Sequence, residues 1–153
     1  MGQINWTRVL LGGLLAGLII NIGEFVLNGM LLTEQWANAM QALNRPPDFT
    51  GTQIAAFNLL GFLTGIGGTW LYAAMRPRYG AGAKTALCAG AALWFLSYLL
   101  PSIGYAAIGL FPGRLIAYGT AWGLVELLVG IVAGAYLYKE EPASSGAKTA
   151  AAG

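Results

Sequence analysis

Two glutamates lie inside long apolar stretches of this sequence, where a carboxyl group is costly. Glu24 follows the mostly apolar run GLLAGLIINIG, and Glu126 lies in the middle of another such run. An ionisable side chain in hydrocarbon normally faces a partner or a cavity. No Lys, Arg or His lies within these stretches, so a charged carboxylate would lack a counterion and desolvation favours the protonated acid. Such acids can carry protons, bind cations or donate hydrogen bonds.

Asparagines accompany the glutamates. At about 100° per residue, Asn21 and Asn28 fall on the same helical stripe as Glu24, and Asn58 heads a glycine-rich face of a second apolar helix. Together these side chains predict a binding site for a proton, a cation or a small polar ligand. The predicted site residues are Glu24, Asn21, Asn28, Asn58 and Glu126.

Small residues at four-residue spacing favour a purely structural interpretation of the same stripes. They let helix backbones approach closely, and Asn side chains commonly hydrogen-bond between helices for about 1 kcal/mol each. The glycines predicted to pack helices in this way are Gly13, Gly17, Gly61, Gly65, Gly119, Gly123 and Gly130. The asparagines are open to either interpretation, and the glutamates are the stronger indication of function.

Several chemistries do not fit the sequence. Without histidine there is no Ser-His-Asp or Cys-His catalytic set and no His-ligated haem or zinc. The one cysteine, Cys88, cannot form an intrachain disulfide. The net charge is +2 without a basic run, so nucleic acid is not an expected partner. We expect no enzymatic activity, no cofactor and no metal site.

Composition places these stretches in a membrane. Hydrophobic residues make up 57% and charged residues 9% of the 153 positions. The sequence predicts an all-α fold, a polytopic four-transmembrane-helix bundle forming a single domain over residues 1–139. The predicted spans are about 7–32, 54–75, 84–108 and 114–138, with a short amphipathic helix at about 34–44. Pro101 should kink or end the third span, and residues 140–153 should form a disordered tail.

The distribution of basic residues predicts the orientation. With four spans, six basic residues fall on one side: Arg8, Arg76, Arg78, Lys84, Lys139 and Lys148. Only Arg45 and Arg114 fall on the other. The positive-inside rule then places both termini in the cytoplasm. The predicted polar residues, with Tyr98 beside them in the outer half of the third span, would gather in a cluster that faces the periplasm.

Three stretches carry a resemblance to a known family. They are INWTRVLLGGLLAGLIINIGEFVLNGMLL, LYAAMRPRYGAGAKTAL and SYLLPSIGYAAIGLFP, within residues 4 to 138. They resemble a family of small four-helix bacterial inner-membrane proteins of unknown function. The resemblance implies a multi-pass protein of the bacterial inner (plasma) membrane and adds no activity.

Two hypotheses follow for a protein whose first partner is the lipid bilayer. In one, the polar residues form an outward-facing site that binds or passes a proton, a cation or a small polar ligand. In the other, the protein is an accessory or structural subunit of a larger membrane complex, and its polar residues serve only helix packing. A glycine face also predicts a homo-oligomer or a partner membrane subunit. The two hypotheses differ in what Glu24→Gln should do, since only a functional site would lose pH- or ligand-dependent stabilisation. Glu24 and Glu126 on unconnected surfaces would exclude a shared site.

Overall fold

The computed structural model describes residues 4–139, and every regular element in that range is helical. There are five continuous helices: α1 (Trp6–Leu31), α2 (Thr33–Ala42), α3 (Gly51–Tyr79), α4 (Ala83–Ala107) and α5 (Gly113–Leu137). All but α2 are long and apolar enough to cross a membrane, with mean hydropathies of 1.4 to 2.0. The chain is therefore a multi-pass membrane protein with one short extra helix. The predicted disordered tail, residues 140–153, lies outside the described residues.

Capping residues start the helices close to the predicted positions. The Asn5 side chain accepts a hydrogen bond from the backbone N–H of Arg8 at 3.0 Å, which caps α1. Thr50 and Gln53 form a reciprocal capping box at the start of α3. As a result α3 begins three residues before the predicted Ile54, at Gly51.

Proline ends neither of the helices that contain it. α3 runs through Pro77 to Tyr79, four residues beyond the predicted end. In the last turn the missing N–H of a proline removes only one bond of the helix. Likewise α4 continues past Pro101 to Ala107, so of the two predicted alternatives, a kink or an end at Pro101, the structure excludes the end. Pro101 lies in the first turn after a π-helical segment, a position that proline tolerates well.

Glycines on two faces of α1 let α3 and α5 approach its backbone. A Cβ atom built on Gly13 would lie 2.5 Å from Cα of Ile66 on α3. One built on Gly12 would lie 2.4 Å from the carbonyl oxygen of Gly134 on α5. No side chain fits at such distances, so α1 is the helix around which the bundle packs.

Most of the glycines predicted to pack helices have a close neighbour on another helix of the same chain. Those with such a neighbour are Gly13, Gly17, Gly61, Gly65, Gly123 and Gly130. Gly119 is different, since a Cβ there would meet nothing within 4 Å among the described residues. The glycines covered within the chain are not free to contact a second copy.

The outer surfaces of the spans are apolar. Large side chains such as Leu14 and Leu18 of α1 and Leu59 and Leu63 of α3 are about half exposed. In the described residues the buried hydrophobic core is small and includes Val9, Ala16 and Ile131. An apolar surface this extensive needs lipid around it.

One end of the bundle joins the start of α1 to the ends of α3 and α5. The Tyr138 hydroxyl accepts from the backbone N–H of Asn5 at 3.3 Å, and the Tyr72 hydroxyl accepts from that of Gly82 at 3.2 Å. The two tyrosine rings meet edge to face at 5.9 Å, and the guanidinium of Arg76 lies 5.5 Å from the Tyr138 ring centroid. Consecutive spans are therefore antiparallel.

The opposite end carries a cluster of five aromatic rings, here called the aromatic cap. Trp36 of α2 contacts Phe49 and Phe111 edge to face, at 6.4 and 5.4 Å between centroids. Phe57 and Tyr105 extend the cluster at 5.7 Å from Phe49 and 5.9 Å from Phe111. The cap fixes α2 against the ends of α3, α4 and α5.

Candidate functional site

The phenol of Tyr98 joins three spans at one hydroxyl group. Its Oη lies 2.6 Å from Oε1 of Glu24 on α1 and 2.7 Å from Oε1 of Glu126 on α5. Glu126 is buried, with 5% of its surface exposed, and Glu24 and Tyr98 are half-buried. The structure thus brings the two predicted glutamates onto one side chain of the third span.

A count of hydrogens constrains the protonation of this group. The phenol has a single hydrogen, so Tyr98 can donate to only one of the two carboxyl oxygens. The other oxygen can bond to the phenol only as a donor, and an ionised carboxylate has no hydrogen to donate. At least one of Glu24 and Glu126 is therefore a neutral acid. The short O···O distances are typical of hydrogen bonds to a carboxylate.

Asn28 and Trp36 fix the direction of the remaining bonds. The indole Nε1 of Trp36 donates to Oδ1 of Asn28 at 2.7 Å. Because an indole N–H can only donate, the amide of Asn28 is turned with its Nδ2 toward Glu24. That Nδ2 donates to Oε2 of Glu24. Glu24 therefore uses Oε2 as an acceptor.

These directions favour a proton on Glu126. As a carboxylate, Glu24 accepts from Asn28 and from Tyr98, whereas Glu126 then donates its own O–H to the Tyr98 oxygen. Oε2 of Glu126 is buried and has no hydrogen-bond partner among the described residues. A neutral carboxylic acid tolerates such an oxygen better than a carboxylate does. Hydrogen bonds are thus donated toward Glu24 from two directions: from Trp36 through Asn28, and from Glu126 through Tyr98.

Two π-helical segments position these side chains. α1 changes from α-helix to π-helix directly after Glu24, over Phe25–Leu31, which contains Asn28. α4 is π-helical over Phe95–Leu99, which contains Tyr98. The wider turn changes the direction in which later side chains leave the helix, and such segments often lie at functional sites. The network is assembled where both helices depart from regular α geometry.

Two glycines make room for the network. A Cβ on Gly123 of α5 would lie 2.4 Å from Cδ1 and Cε1 of the Tyr98 ring, so the ring lies directly on the α5 backbone. A Cβ on Gly23 of α1 would lie 2.6 Å from Oε2 of Glu126. Trp122 of α5 donates from Nε1 to the carbonyl oxygen of Gly23 at 3.1 Å, which ties the two backbones together beside the carboxyl groups.

Polar contacts on either side of Tyr98 hold α4 against α5. Trp94 donates from Nε1 to the backbone oxygen of Thr120 at 2.8 Å, and the hydroxyls of Ser102 and Thr120 lie 2.6 Å apart. Trp94 and Ser102 are each four residues from Tyr98, about one helical turn. The phenol is thus held at a fixed height along α5.

Asn21 and Asn58, both predicted for the site, lie in a separate contact. Asn21 donates from Nδ2 to the backbone oxygen of Asn58 at 3.1 Å, and its side chain packs on Gly61. Asn58 is exposed and donates to the backbone oxygen of Ile54 in its own helix at 2.8 Å. This contact joins α1 to α3 and does not touch Tyr98. Of the predicted set, Glu24, Asn28 and Glu126 come together.

Three side chains of the network were not among the predicted site residues. Tyr98 was expected in the outer half of the third span, but nothing in its spacing marked it as the bridge between two glutamates. Trp36 lies on the predicted amphipathic helix, and no role was predicted for Trp122. The available signal was that a buried Tyr hydroxyl or Trp N–H within an apolar helix needs a polar partner.

The charge around the network is negative. With one proton, the two carboxyl groups carry one negative charge. The basic residues of α1, α4 and α5 are Arg8, Lys84 and Arg114. Each lies at least twelve residues from the network residue on its own helix, about 18 Å or more at 1.5 Å per residue. The described residues contain no group of three or more His, Cys, Asp or Glu that could hold a metal ion.

We expect Gly123→Ala to displace the Tyr98 ring and Gly119→Ala to leave it in place. The added methyl of Gly123→Ala would collide with the ring, and a strained substitution of this kind costs about 1 to 3 kcal/mol. At Gly119 nothing lies within 4 Å, so alanine should be neutral or stabilise the helix by about 0.5 kcal/mol. Thermal unfolding of both variants in detergent checks this. Equal melting temperatures would contradict the close packing of Tyr98 on α5.

No protein-family model, curated protein or solved structure matches this chain. What the site does is therefore inferred from Tyr98, its two carboxyl partners and the hydrogen bonds around them.

Proposed function

We propose that the protein is a bacterial inner-membrane protein that binds a proton between Glu24 and Glu126 and passes it through Tyr98. The observation that carries the proposal is one phenol hydroxyl within 2.7 Å of both carboxyl groups. The single hydrogen of the phenol can be donated to only one carboxylate. The contact with the other carboxyl group is therefore a hydrogen bond only when that group carries a proton. The proposed occupant of this site is therefore that proton.

A proton suits the site better than a polar ligand does. Both carboxyl groups already bond directly to the phenol, and Asn28 bonds directly to Glu24. At these distances there is no space for a water molecule or a larger group between the bonded atoms. A proton needs no such space. A small polar molecule would have to break the network in order to enter.

The phenol offers a route for the proton between the two acids. Glu126 gives the proton on Oε1 to the Tyr98 oxygen, while Tyr98 gives its own hydrogen to Oε1 of Glu24. The result is a neutral Glu24, an ionised Glu126 and an unchanged phenol, so charge and atoms balance. Side chains linked in this way form the proton relays of membrane proteins.

The proposed orientation places this relay nearer the periplasm. The count of six basic residues against two puts both termini in the cytoplasm. Asn28 and Trp36 then lead from the carboxyl groups to α2 and the aromatic cap on the outer side. Protons would enter or leave past Trp36, which is half-buried.

Infrared difference spectroscopy of the purified protein tests the proposal. We expect the wild-type protein to show the C=O stretching band of a protonated carboxyl, and this band should disappear as the pH is raised. Glu126→Gln should remove the band, because the amide cannot carry that proton. Glu34→Gln is the matched control, since Glu34 is exposed on α2 and is not one of the network residues. It should leave the band unchanged.

The alternative is an accessory subunit whose polar residues only pack helices. In that case Glu126 has no exchangeable proton, and the wild-type band would be absent or would not change with pH. That result would overturn the proton-binding proposal, and recovery of a fixed membrane partner would then support the accessory role.

A further inference from the structure

We infer that the same pair of carboxyl groups, once it has lost its proton, binds a monovalent cation in its place, for which Na⁺ is the probe. This inference rests on the proposed proton site. It adds a second occupant of that site and a competition between the two.

The first observation is the unpartnered oxygen of Glu126. Oε2 is buried, in a residue that is 5% exposed, and among the described residues nothing donates a hydrogen bond to it. It lies against Gly23, at the point where a Cβ would be 2.6 Å away. In the neutral acid this oxygen carries little charge. When Glu126 ionises, the oxygen becomes a buried anionic acceptor without a donor, which is strongly unfavourable.

The second observation is the chemistry of the surrounding atoms. The Tyr98 hydroxyl bonds Oε1 of Glu126 and joins it to the carboxyl of Glu24, while the nearby indole N–H of Trp122 is taken up by the backbone carbonyl of Gly23. Oxygen ligands select hard cations. The side-chain nitrogens of the network belong to Asn28, Trp36 and Trp122, and each is an N–H donor that cannot serve as a metal ligand.

Charge balance favours a monovalent ion. Two carboxylates with one proton carry a charge of minus one, and two carboxylates with one Na⁺ carry the same charge. The exchange of H⁺ for Na⁺ therefore leaves the net charge of the buried carboxyl pair unchanged. Ca²⁺ takes about six to eight oxygens and Mg²⁺ a near-octahedral set with several waters. Two carboxyl groups, with no third acidic residue grouped beside them in the described chain, do not supply such a set.

The titratable groups that face the site are few. α1 contributes Glu24, α4 contributes Tyr98 and α5 contributes Glu126. α2 contributes Trp36, which does not titrate, and Glu34 of α2 is exposed. In the described chain, the titratable groups of α3 lie in its last two turns, at the opposite end from the aromatic cap. Competition between H⁺ and Na⁺ is therefore confined to one carboxyl pair.

The exchange balances as one cation for one proton. The proton of Glu126 leaves to solvent, which breaks the hydrogen bond between Oε1 of Glu126 and the Tyr98 oxygen. These two oxygens then separate, and Na⁺ enters the space that the protonated network does not have. Tyr98 keeps its hydrogen and donates it to one carboxylate, while its oxygen becomes free to face the cation. No bond between heavy atoms forms or breaks.

Proton release measures this exchange directly. Purified full-length protein receives either NaCl or choline chloride in weakly buffered detergent, at a pH where the protonated-carboxyl band is still present, with a pH-indicator dye in solution. We expect NaCl to release about one proton per chain and to raise the melting temperature, and choline chloride to do neither. Because a proton competes for the same pair, the apparent Na⁺ affinity should fall about tenfold for each pH unit lowered.

Variants separate this site from surface effects. Glu126→Gln should abolish the release of protons by Na⁺, and Glu34→Gln should retain it. If Glu126→Gln does not fold, Glu24→Gln removes the other carboxyl and should also abolish the release. Stabilisation by Na⁺ without proton release, equal in all variants, would mean adventitious surface binding and would overturn the inference.

The outcomes also distinguish this inference from the proposed function. If the carboxyl band titrates as expected but Na⁺ and choline behave alike, the proton site stands and the cation inference fails. If neither the band titrates nor Na⁺ releases protons, both fail. Proton release by CaCl₂ or MgCl₂ at concentrations where NaCl has no effect would overturn the choice of a monovalent ion.

Discussion

Replacing Gly65 with alanine is expected to destabilise the helical bundle by about 3 kcal/mol or more. A Cβ at this position of α3 would lie 2.3 Å from the backbone nitrogen of Gly17 and 2.5 Å from the backbone oxygen of Gly13, both on α1. Overpacking against side chains costs about 1 to 3 kcal/mol. Backbone atoms of a helix cannot rotate away as side chains can, so α1 and α3 would have to separate.

Gly67→Ala is the matched control for this prediction. Gly67 lies two residues along the same helix, and a Cβ there would meet nothing within 4 Å among the described residues. Alanine should therefore be neutral or gain about 0.5 to 1 kcal/mol from helix propensity. Unfolding in mixed detergent micelles, followed by circular dichroism, gives the difference between the two variants. Similar curves for Gly65→Ala and Gly67→Ala would contradict the direct backbone contact of α1 with α3.

The contrast between such glycines marks the limit of prediction from sequence. Four apolar runs of about 25 residues were enough to predict the four spans, because their length and hydropathy depend on composition alone. Four-residue spacing also found Gly13, Gly17 and Gly65. The same spacing selected Gly119, which touches nothing, because spacing shows that residues share a face without showing which helix covers that face.

The site was predictable only in part, for a related reason. Glu24 and Glu126 stood out because a carboxyl in an apolar span needs a partner, and both meet Tyr98. The helical stripe also grouped Asn21 with Glu24. In the structure Asn21 contacts α3 instead, while Asn28 still reaches Glu24 through a π-helical turn.

π-Helical segments are hard to predict from a pattern that assumes 100° per residue. Both segments in this chain begin within the network or beside it, after Glu24 and around Tyr98. Each changes the direction of the side chains that follow it. The bridge through Tyr98 therefore depends on local backbone geometry that the sequence period does not encode.

The two proposals share one physical basis. A buried carboxyl pair without a nearby basic residue is stable only while something positive lies between its members. In the described structure Tyr98 supplies one hydrogen, Asn28 supplies donors to Glu24 alone, and Oε2 of Glu126 receives none. This asymmetry is the reason to place the exchangeable proton on Glu126 and the cation beside it.

Tyr98→Phe is expected to break the coupling between the two carboxyl groups while leaving the helices packed. Phenylalanine keeps the ring that lies on Gly123 but has no hydroxyl for Glu24 and Glu126. The bond to ionised Glu24 contributes about 1.5 to 3 kcal/mol and the bond to neutral Glu126 about 1 kcal/mol, so we expect a loss of about 3 kcal/mol in unfolding free energy. The protonated-carboxyl band should also shift, since its O–H has lost its acceptor.

Tyr136→Phe is the control, because Tyr136 is 86% exposed and makes no contact with the network. This substitution also removes one phenol oxygen, but it should change neither the unfolding free energy nor the infrared band. Unfolding measurements and infrared titration of both variants test this prediction. If Tyr98→Phe kept the wild-type band and its pH dependence, the prediction would be wrong. The proton would then not be shared through the phenol. A shifted band together with a lost Na⁺ response would instead show that one hydroxyl organises both the proton and the cation at this pair.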